Sequence, residues 1–281
     1  MALTFGAATS DRAAQLSSMA AATNTVGLIA GWWYPTTLTA GRFYFSAAAS
    51  SSTINYGIKV GTTTSTLQMN SCTTVSGLWT ATADANVFPS GIQTDKWWFI
   101  AGAYSVVSTP AVAWVMWLGD AQTPPTPMTV VQNTAPTTGL TSSNLSVVGN
   151  SSTTGTDSFQ GDIGTVHIIN STISTSYQFG IPVATGGVIT SAEQTLIEQR
   201  LVNPLWRGDT PRPNWFPGRT GTVSTTYDMT TNPPTYSYAS GLTVTRSAVG
   251  TASGMTVSSR REPVVRDQRQ LLQPPPLTSR I

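Results

Sequence analysis

Two stretches of alternating side chains, residues 145–149 and 159–170, constrain the fold of this chain more than any other feature. In the second stretch Phe159 and Ile163 fall on one face of an extended strand, and Asp162 falls on the other. Successive side chains of a strand point to opposite sides, so a stretch of this kind buries one face of a sheet. We therefore predict two neighbouring, half-buried strands here.

The composition also favours strands over helices. Charged residues make up only 9% of the 281 residues, against roughly a quarter in an ordinary soluble protein. The chain has 24 glycines, 18 prolines and many β-branched residues, which suit strands and turns. Short apolar runs recur at about ten-residue spacing, which is typical of an antiparallel sandwich. We predict an all-β fold built around one main domain.

One helix is predicted near residue 190. Thr190 or Ser191 is the expected N-cap, Glu193 lies in the first turn, and Pro204 is expected to end the helix. The apolar positions at helical spacing are Leu196, Ile197, Leu201 and Val202.

The sequence divides into three regions. We predict a sandwich over residues 1–207, a Pro-rich linker with a small β appendage over 208–258, and an extended C-terminal arm over 259–281. The triple proline at 274–276 keeps the arm extended, which leaves its backbone donors and acceptors available to a neighbouring protein. The predicted anchoring residues of the arm are Arg260, Arg261, Val264, Val265, Leu271 and Leu272.

Charge, cysteine content and chain start restrict the partners. The formal net charge of +2 is too small to indicate a nucleic-acid partner. The single cysteine, Cys72, cannot form an internal disulfide, so packing has to stabilise the fold. The N-terminus lacks the basic and apolar segments of a signal peptide, and no apolar run is long enough to span a membrane. We expect synthesis in a host cytoplasm without a signal peptide.

Several motifs, taken in order, resemble laminin-G-like domains of the concanavalin A-like lectin/glucanase superfamily. They are Trp32-x-x-Pro35, Trp97-x-x-Ile100-Ala101 and Phe159-x-Gly161-x-Ile163-x-x-Val166-x-Ile168-x-Asn170. The resemblance spans roughly residues 25–205. It implies a jelly-roll sandwich of two antiparallel sheets with one short C-terminal helix.

The resemblance also implies an orientation for two tryptophan pairs. It directs Trp32 and Trp97 into the core, and neighbouring strand residues point in opposite directions, so Trp33 and Trp98 are expected on the outer surface. An outward tryptophan either packs under a loop or a neighbouring subunit, or stacks on a sugar ring. Trp33 and Trp98 are therefore the candidate ligand or interface residues.

The residues needed for common enzymatic sites are missing from the predicted sandwich strands. Glycoside hydrolysis needs two carboxyl groups about 5–10 Å apart, and Glu193, Glu198 and Glu262 all lie outside those strands. His167 is the single histidine, and no Gly-x-Ser-x-Gly motif presents a nucleophilic serine. One histidine and one cysteine do not make a zinc site. We predict that the protein is not an enzyme.

Calcium is the metal that the resemblance implies, with Asp162 as the candidate ligand. The acidic pair that often follows in the family is replaced here by Gly164 and Thr165. We therefore predict no cofactor, and Asp162 is interpreted first as a structural carboxylate at a turn or sheet edge.

The combination of features resembles bacteriophage virion proteins that carry laminin-G-like domains. The expected function is that of a structural subunit in the virion, either a capsid-decoration or a tail-associated protein. It would form a homo-oligomer and bind a major capsid or tail protein through its arm. The alternative is a carbohydrate-binding module or host-surface adhesin, with a glycan as its partner.

Overall fold

A computed structural model gives the arrangement of most of the chain. The described residues are 3–5, 12–19, 25–48, 54–71, 77–108, 111–134, 143–150, 157–172, 177–178, 181–182, 189, 191–208, 223–228, 235–238, 252–253, 256–257 and 260–265.

The described residues form nineteen strands and one interrupted helix. In chain order the strands are β1 (Leu3–Phe5), β2 (Arg12–Met19), β3 (Thr25–Pro35), β4 (Phe43–Ala48), β5 (Ile54–Val60), β6 (Thr66–Ser71), β7 (Gly77–Thr82), β8 (Trp98–Ser108), β9 (Ala111–Asp120), β10 (Thr126–Pro127), β11 (Thr129–Thr134), β12 (Ser143–Val148), β13 (Gly161–Thr172), β14 (Tyr177–Gln178), β15 (Ile181–Pro182), β16 (Val223–Asp228), β17 (Thr235–Tyr238), β18 (Ala252–Ser253) and β19 (Thr256–Val257). The helix consists of α1 (Ser191–Ile197), a π-helical turn (Glu198–Val202) and α2 (Asn203–Trp206).

The strands build two large antiparallel sheets. Sheet A has the order β10-β9-β8-β3-β13-β1-β19, with β16 beside β13 and β17 beside β16. Sheet B has the order β11-β7-β6-β5-β4-β12-β2-β18, and β14 pairs separately with β15. Among the described strands, the chain changes sheet between β1 and β2, β2 and β3, β3 and β4, β7 and β8, β10 and β11, β12 and β13, β17 and β18, and β18 and β19. This confirms the predicted all-β sandwich of two antiparallel sheets.

The two strands predicted to be neighbours lie in opposite sheets. β12 pairs with β2 and β4 in sheet B, whereas β13 pairs with β3 in sheet A. Alternation shows that a strand has one buried face, but it does not identify the sheet that the strand joins. The loop between β12 and β13 therefore connects the two layers.

The inner core fills the space between the sheets with aromatic and aliphatic side chains. Tyr56 of β5 stacks on Tyr104 of β8 with ring centroids 4.0 Å apart, which joins the two sheets directly. Phe159 and Ile163 lie in this core, as the alternation predicts.

A second apolar layer covers the outer face of sheet A. Trp32, Phe99 and Trp117 pack there against the helix. The helix contributes Ile197, Leu201, Val202, Leu205 and Trp206 to this layer. The helix is therefore a third layer of the fold.

Pro204 does not end the helix, in contrast to the prediction. The Asn203 N–H bonds to the Glu198 carbonyl five residues earlier, which widens the helix into a π-helical turn. Pro204 then falls in the first turn of α2, where the missing N–H of proline costs no hydrogen bond. The helix continues to Trp206 and buries Leu205 and Trp206.

The orientation predicted for the tryptophan pairs is reversed. Trp33 and Trp98 are each 1% exposed and lie in the inner core, whereas Trp32 lies in the outer layer. Trp97 is half-buried and packs against that outer layer. The motif correctly placed one member of each pair on each face, but a shift of one residue inverts every assignment along a strand.

The strands after the helix join the two sheets. The sequence predicts a small β appendage over 208–258, but β16 pairs with β13, β18 pairs with β2 and β19 pairs with β1. The described strands of this region therefore extend the sandwich. The exact boundaries of the three predicted regions stay a prediction.

Trp33→Ala and Trp98→Ala should each lower the free energy of unfolding by about 3–5 kcal/mol, because each leaves a large cavity in the inner core. Trp97→Ala is the matched control, and its loss should be less than half as large since its side chain is only half-buried. Urea denaturation of the three variants measures the difference. Equal losses for Trp33→Ala and Trp97→Ala would contradict the inward placement of Trp33.

Candidate functional site

The candidate site is a bulge in β13. The pairing of β13 with β3 shifts register between Ile163 and Val166. On the other side, β1 pairs with β13 up to Ile163, and β16 pairs with it from Val166 onward. Among the described strands, Gly164 and Thr165 therefore have no ladder partner on either side. A bulge of this kind leaves backbone groups available and bends the strand.

Gly161 allows β13 to begin directly beside β3. Its φ of 140° lies in a region that favours glycine. A Cβ at this position would lie 2.0 Å from the Tyr34 carbonyl oxygen. The glycine therefore brings the next residue, Asp162, into the ladder at a fixed position.

Asp162 is a fully buried carboxylate with both oxygens engaged. The Thr4 hydroxyl donates to Oδ1, and the Arg260 guanidinium donates to Oδ2 at 2.7 Å. The Asp162 side chain is 0% exposed, whereas the Arg260 side chain is 44% exposed. A buried charge needs a paired and hydrogen-bonded partner, so Arg260 compensates the cost of burying Asp162.

Arg260 also covers an aromatic surface. Its guanidinium lies 4.6 Å from the centroid of the Tyr34 ring, within the range of a cation–π interaction. The Tyr34 ring meets Trp97 edge-on, with centroids 5.5 Å apart. The hydrogen bond to Asp162 raises the pKa of Arg260, so the guanidinium stays charged.

Glu262 binds the bulge itself. Its Oε2 accepts the Thr165 N–H at 2.6 Å, which satisfies an amide that lies outside the ladder. A Cβ at Gly164 would lie 2.5 Å from the same oxygen and 3.2 Å from the Trp32 Cβ. A side chain at residue 164 would therefore displace Glu262. We call the contacts of Arg260 and Glu262 with β13 the C-terminal clasp.

The clasp changes the interpretation of Asp162 as a calcium ligand. The Arg260 guanidinium already neutralises the carboxylate, and Thr4 occupies its other oxygen. Within the described residues, no group of three or more His, Cys, Asp and Glu side chains comes together to hold a metal ion. The residues around Asp162 therefore fit an ion pair better than a calcium ion.

The predicted arm residues divide into three groups. Arg260 is bound to Asp162, and Val265 packs against the outer layer. Arg261 is exposed, and Val264 is 86% exposed. Leu271 and Leu272 lie outside the described residues. The start of the arm therefore docks on its own sandwich, which the sequence analysis did not predict.

The sequence marks Asp162 and Arg260 as separate candidate residues, and no local pattern indicates that they pair. The sequence places Glu262 outside the sandwich strands, which argues against a catalytic role, and it gives no sign of the contact of Glu262 with the bulge. The available signal in the sequence is the glycine at position 164, because it leaves room beside the strand for a carboxylate from another segment.

Two other carboxylates fix the edge of sheet A and the helix. Asp120 pairs with Lys96 at 2.7 Å and accepts the Gln122 and Thr123 amides, closing the turn after β9. Burial alone would raise the pKa of Asp120, but these bonds lower it. Glu198 accepts the Trp117 indole N–H at 3.1 Å, and its burial raises its pKa. Both side chains serve the packing of the fold.

His167 is buried in the ladder of β13, between Ala30 of β3 and Thr226 of β16. Desolvation lowers its pKa to about 4, so it is neutral in the folded protein at neutral pH. A buried, neutral histidine on a strand is a structural residue.

Comparisons with known proteins find distant similarity to several solved structures. No family model matches the chain, and no curated protein sequence matches it significantly. The structure of a heptameric SAP-like pentraxin from Limulus polyphemus is similar to this protein. The similarity covers 59% of this chain and 74% of the pentraxin chain, with 14% sequence identity and a TM-score of 0.40.

Two further solved structures show similarity at the same level. The similarity to domains LG4-5 of the mouse laminin alpha1 chain covers 59% of this chain and 41% of the laminin chain, with 11% sequence identity and a TM-score of 0.40. The similarity to the enzymatically active domain of tailspike protein 2 from bacteriophage CBA120 covers 62% of this chain and 28% of the tailspike chain, with 15% sequence identity and a TM-score of 0.38. The sheet order described above defines the chain as a jelly-roll β-sandwich.

Arg260→Ala should lower the free energy of unfolding by about 1–3 kcal/mol, because it leaves Asp162 buried without its cation. This range is below that of a fully buried pair since Arg260 is partly solvated. Arg261→Ala is the matched control and should change stability by no more than about 0.5 kcal/mol. Chemical denaturation measures both. A loss in Arg260→Ala no larger than in Arg261→Ala would contradict the clasp.

The lowered pKa of the buried His167 predicts that the protein loses stability in mild acid. The unfolded chain binds a proton near pH 6.5, whereas the folded chain does so only near pH 4. The unfolded state therefore gains protons first as the pH falls, and the stability present above pH 6.5 is lost towards pH 4, by up to about 3 kcal/mol. Unfolding free energies of the wild type and His167→Gln should converge by this amount between pH 7.5 and 4. Parallel pH profiles would contradict it.

Proposed function

We propose that this protein is a structural subunit of a bacteriophage virion, as a capsid-decoration or tail-associated protein. The sandwich is a rigid body displayed on the particle. The C-terminal arm ties that body to neighbouring subunits, including other copies of this chain and a major capsid or tail protein. The expected location is the virion.

The observation that most supports this proposal is the position of the start of the arm on the sandwich. Arg260 and Glu262 fix the start of the arm to β13, while Val264 is 86% exposed. An exposed aliphatic side chain beside a fixed attachment point leaves the chain that follows it directed away from the sandwich, where an extended segment can pair with another protein. The sequence after Val265 supplies further apolar residues and the triple proline for an extended contact.

The distribution of buried carboxylates supports a non-enzymatic role. Asp120, Asp162 and Glu198 each bond to a group that holds the fold together, and Glu262 caps the bulge. His167 is buried and neutral near pH 7. Among the described residues, these groups are therefore committed to structure. Within the part of the chain that the structure describes, no helix is long and apolar enough to cross a membrane.

The two tryptophans predicted as sugar-binding residues under the glycan-binding alternative are not on the surface. Trp33 and Trp98 are buried in the inner core and cannot stack on a sugar without unfolding. Tyr34 and Trp97 form a half-buried aromatic pair, but Arg260 covers the Tyr34 ring. The surface near the clasp therefore favours attachment of the arm over sugar binding.

Deletion of residues 266–281 tests the proposal, because it removes the part of the arm that follows the clasp and keeps residues 260–265. The shortened chain should unfold at the same temperature as the full chain and should fail to enter virions in a complementation assay. Arg200→Ala in the full chain is the control, because Arg200 is exposed on the helix and lies outside the arm, and this variant should be incorporated normally. Incorporation of the shortened chain at the full-length level would overturn the proposal, as would binding of the full chain to a glycan array that survives the deletion.

A further inference from the structure

β11, at one end of sheet B, is an exposed edge strand. It stands last in the sheet order and pairs with β7 on one side. Val130 packs against the inner core, so the next residue, Val131, faces outward, where its side chain is 54% exposed. Among the described residues, the exposed large hydrophobic side chains are Val131 and Val264, and Val264 belongs to the start of the arm. Val131 is therefore the exposed aliphatic residue of the sandwich itself.

The backbone of β11 can accept a further strand. Every second residue of an edge strand directs its N–H and C=O groups away from its neighbour in the sheet. No other described strand pairs with this side of β11. Unpaired groups of this kind are the ones that bind an added strand from another protein. The bulge between Gln132 and Thr134 limits the regular part of this edge to residues 129–132.

β11 lacks the residues that commonly protect an edge, which are proline and charged side chains. It lies close to β9 of sheet A, so the neighbouring edge on the same side of the sandwich is β10. That edge is protected, because β10 contains Pro127 and follows Pro124 and Pro125. The sequence of β11, Thr-Val-Val-Gln-Asn-Thr, contains neither proline nor a charged residue. Of these two edges, β11 is the one left open to pairing.

The residues of β11 suit pairing with a second copy of the same strand. A two-fold axis at Val131 places this side chain opposite its own copy and covers its exposed surface. The strand is uncharged, so no like charges meet across the axis. The formal net charge of the whole chain is only +2, which leaves little repulsion between copies. A different partner has to supply a matching edge of its own, whereas every copy of this chain carries one.

We infer that two copies of this protein associate edge to edge through β11, so that sheet B continues from one copy into the other across a two-fold axis at Val131. The inference goes beyond the proposed function, because β11 lies in sheet B whereas the start of the arm contacts sheet A. One pair of short strands is a small contact, so the dimer is in equilibrium with the monomer. Display of many copies on one particle would strengthen it.

Val131→Lys tests the pairing, because it places two like charges opposite each other at the axis. Thr39→Lys is the matched control, since Thr39 is exposed between β3 and β4, and three strands separate β4 from β11 in sheet B. Sedimentation velocity at increasing protein concentration should show a dimer for the wild type and for Thr39→Lys. In Val131→Lys the dissociation constant should rise by about tenfold or more, with an unchanged unfolding temperature because position 131 is exposed. A wild type that stays monomeric up to its solubility limit, or a dimer that Val131→Lys leaves unchanged, would overturn the inference.

Crosslinking tests the position of the axis. Val131→Cys brings two thiols together there, so a short bifunctional thiol reagent should join two copies by about tenfold or more above the level in Thr39→Cys. The wild type measures the background from the single native cysteine, Cys72. Crosslinking of Val131→Cys no greater than that of Thr39→Cys would overturn the pairing.

Deletion of residues 266–281 separates this contact from the arm. The shortened chain should form the same dimer and still fail to enter virions. Loss of the dimer on deletion would assign the contact to the arm and overturn the inference. Incorporation of the shortened chain into virions with the dimer intact would overturn the proposed function and leave the β11 contact standing.

Discussion

Burial of aromatic side chains on both faces of sheet A is the constraint on which the rest of the structure depends. Trp33 and Trp98 fill the inner core, and Trp32 and Phe99 fill the outer layer. Buried rings of this size remove about 150–250 Å² each from water. A chain with only 9% charged residues has few groups from which to build ion pairs, and its single cysteine cannot form an internal disulfide. Burial of these rings therefore has to supply most of the stability. The helix is therefore needed as a third layer, because without it the outer face would expose a large apolar patch.

The C-terminal clasp follows from a local defect in the same sheet. β13 has to change neighbours from β1 to β16, and the bulge at Gly164 and Thr165 accommodates the change. The defect leaves an amide to be satisfied, while Asp162 beside it needs a cation. Both requirements are met by one short segment of the chain. A structural irregularity thus becomes an attachment point for the region proposed to join subunits.

The sequence predicts the layers of this fold better than the details of the site. Alternation identifies the strands and places Phe159 and Ile163 in the core, because burial on one face imposes a period of two. The same alternation cannot distinguish Trp32 from Trp33 as the inward residue, because both faces of sheet A are apolar. Local signals also cannot show that a π-helical turn carries the helix past Pro204.

The pairing of Asp162 with Arg260 lies beyond any local pattern. The two residues are separated by 98 positions, and each has an ordinary interpretation alone, as a turn carboxylate and as an arm cation. Only the return of β19 to β1 brings them together. Sites built from distant segments by sheet pairing are for this reason recognised from structure.

Hydrogen exchange of the Thr165 amide tests the clasp most directly, since this N–H has its described acceptor in Glu262 and not in a neighbouring strand. In the wild type it should exchange at least tenfold more slowly than the exposed amides of the turns. In Glu262→Ala its protection should be lost while that of Val166 is retained. A Thr165 amide that exchanges as fast as an exposed turn amide in the wild type, or one whose protection survives Glu262→Ala, would contradict the docking of the C-terminal segment on β13.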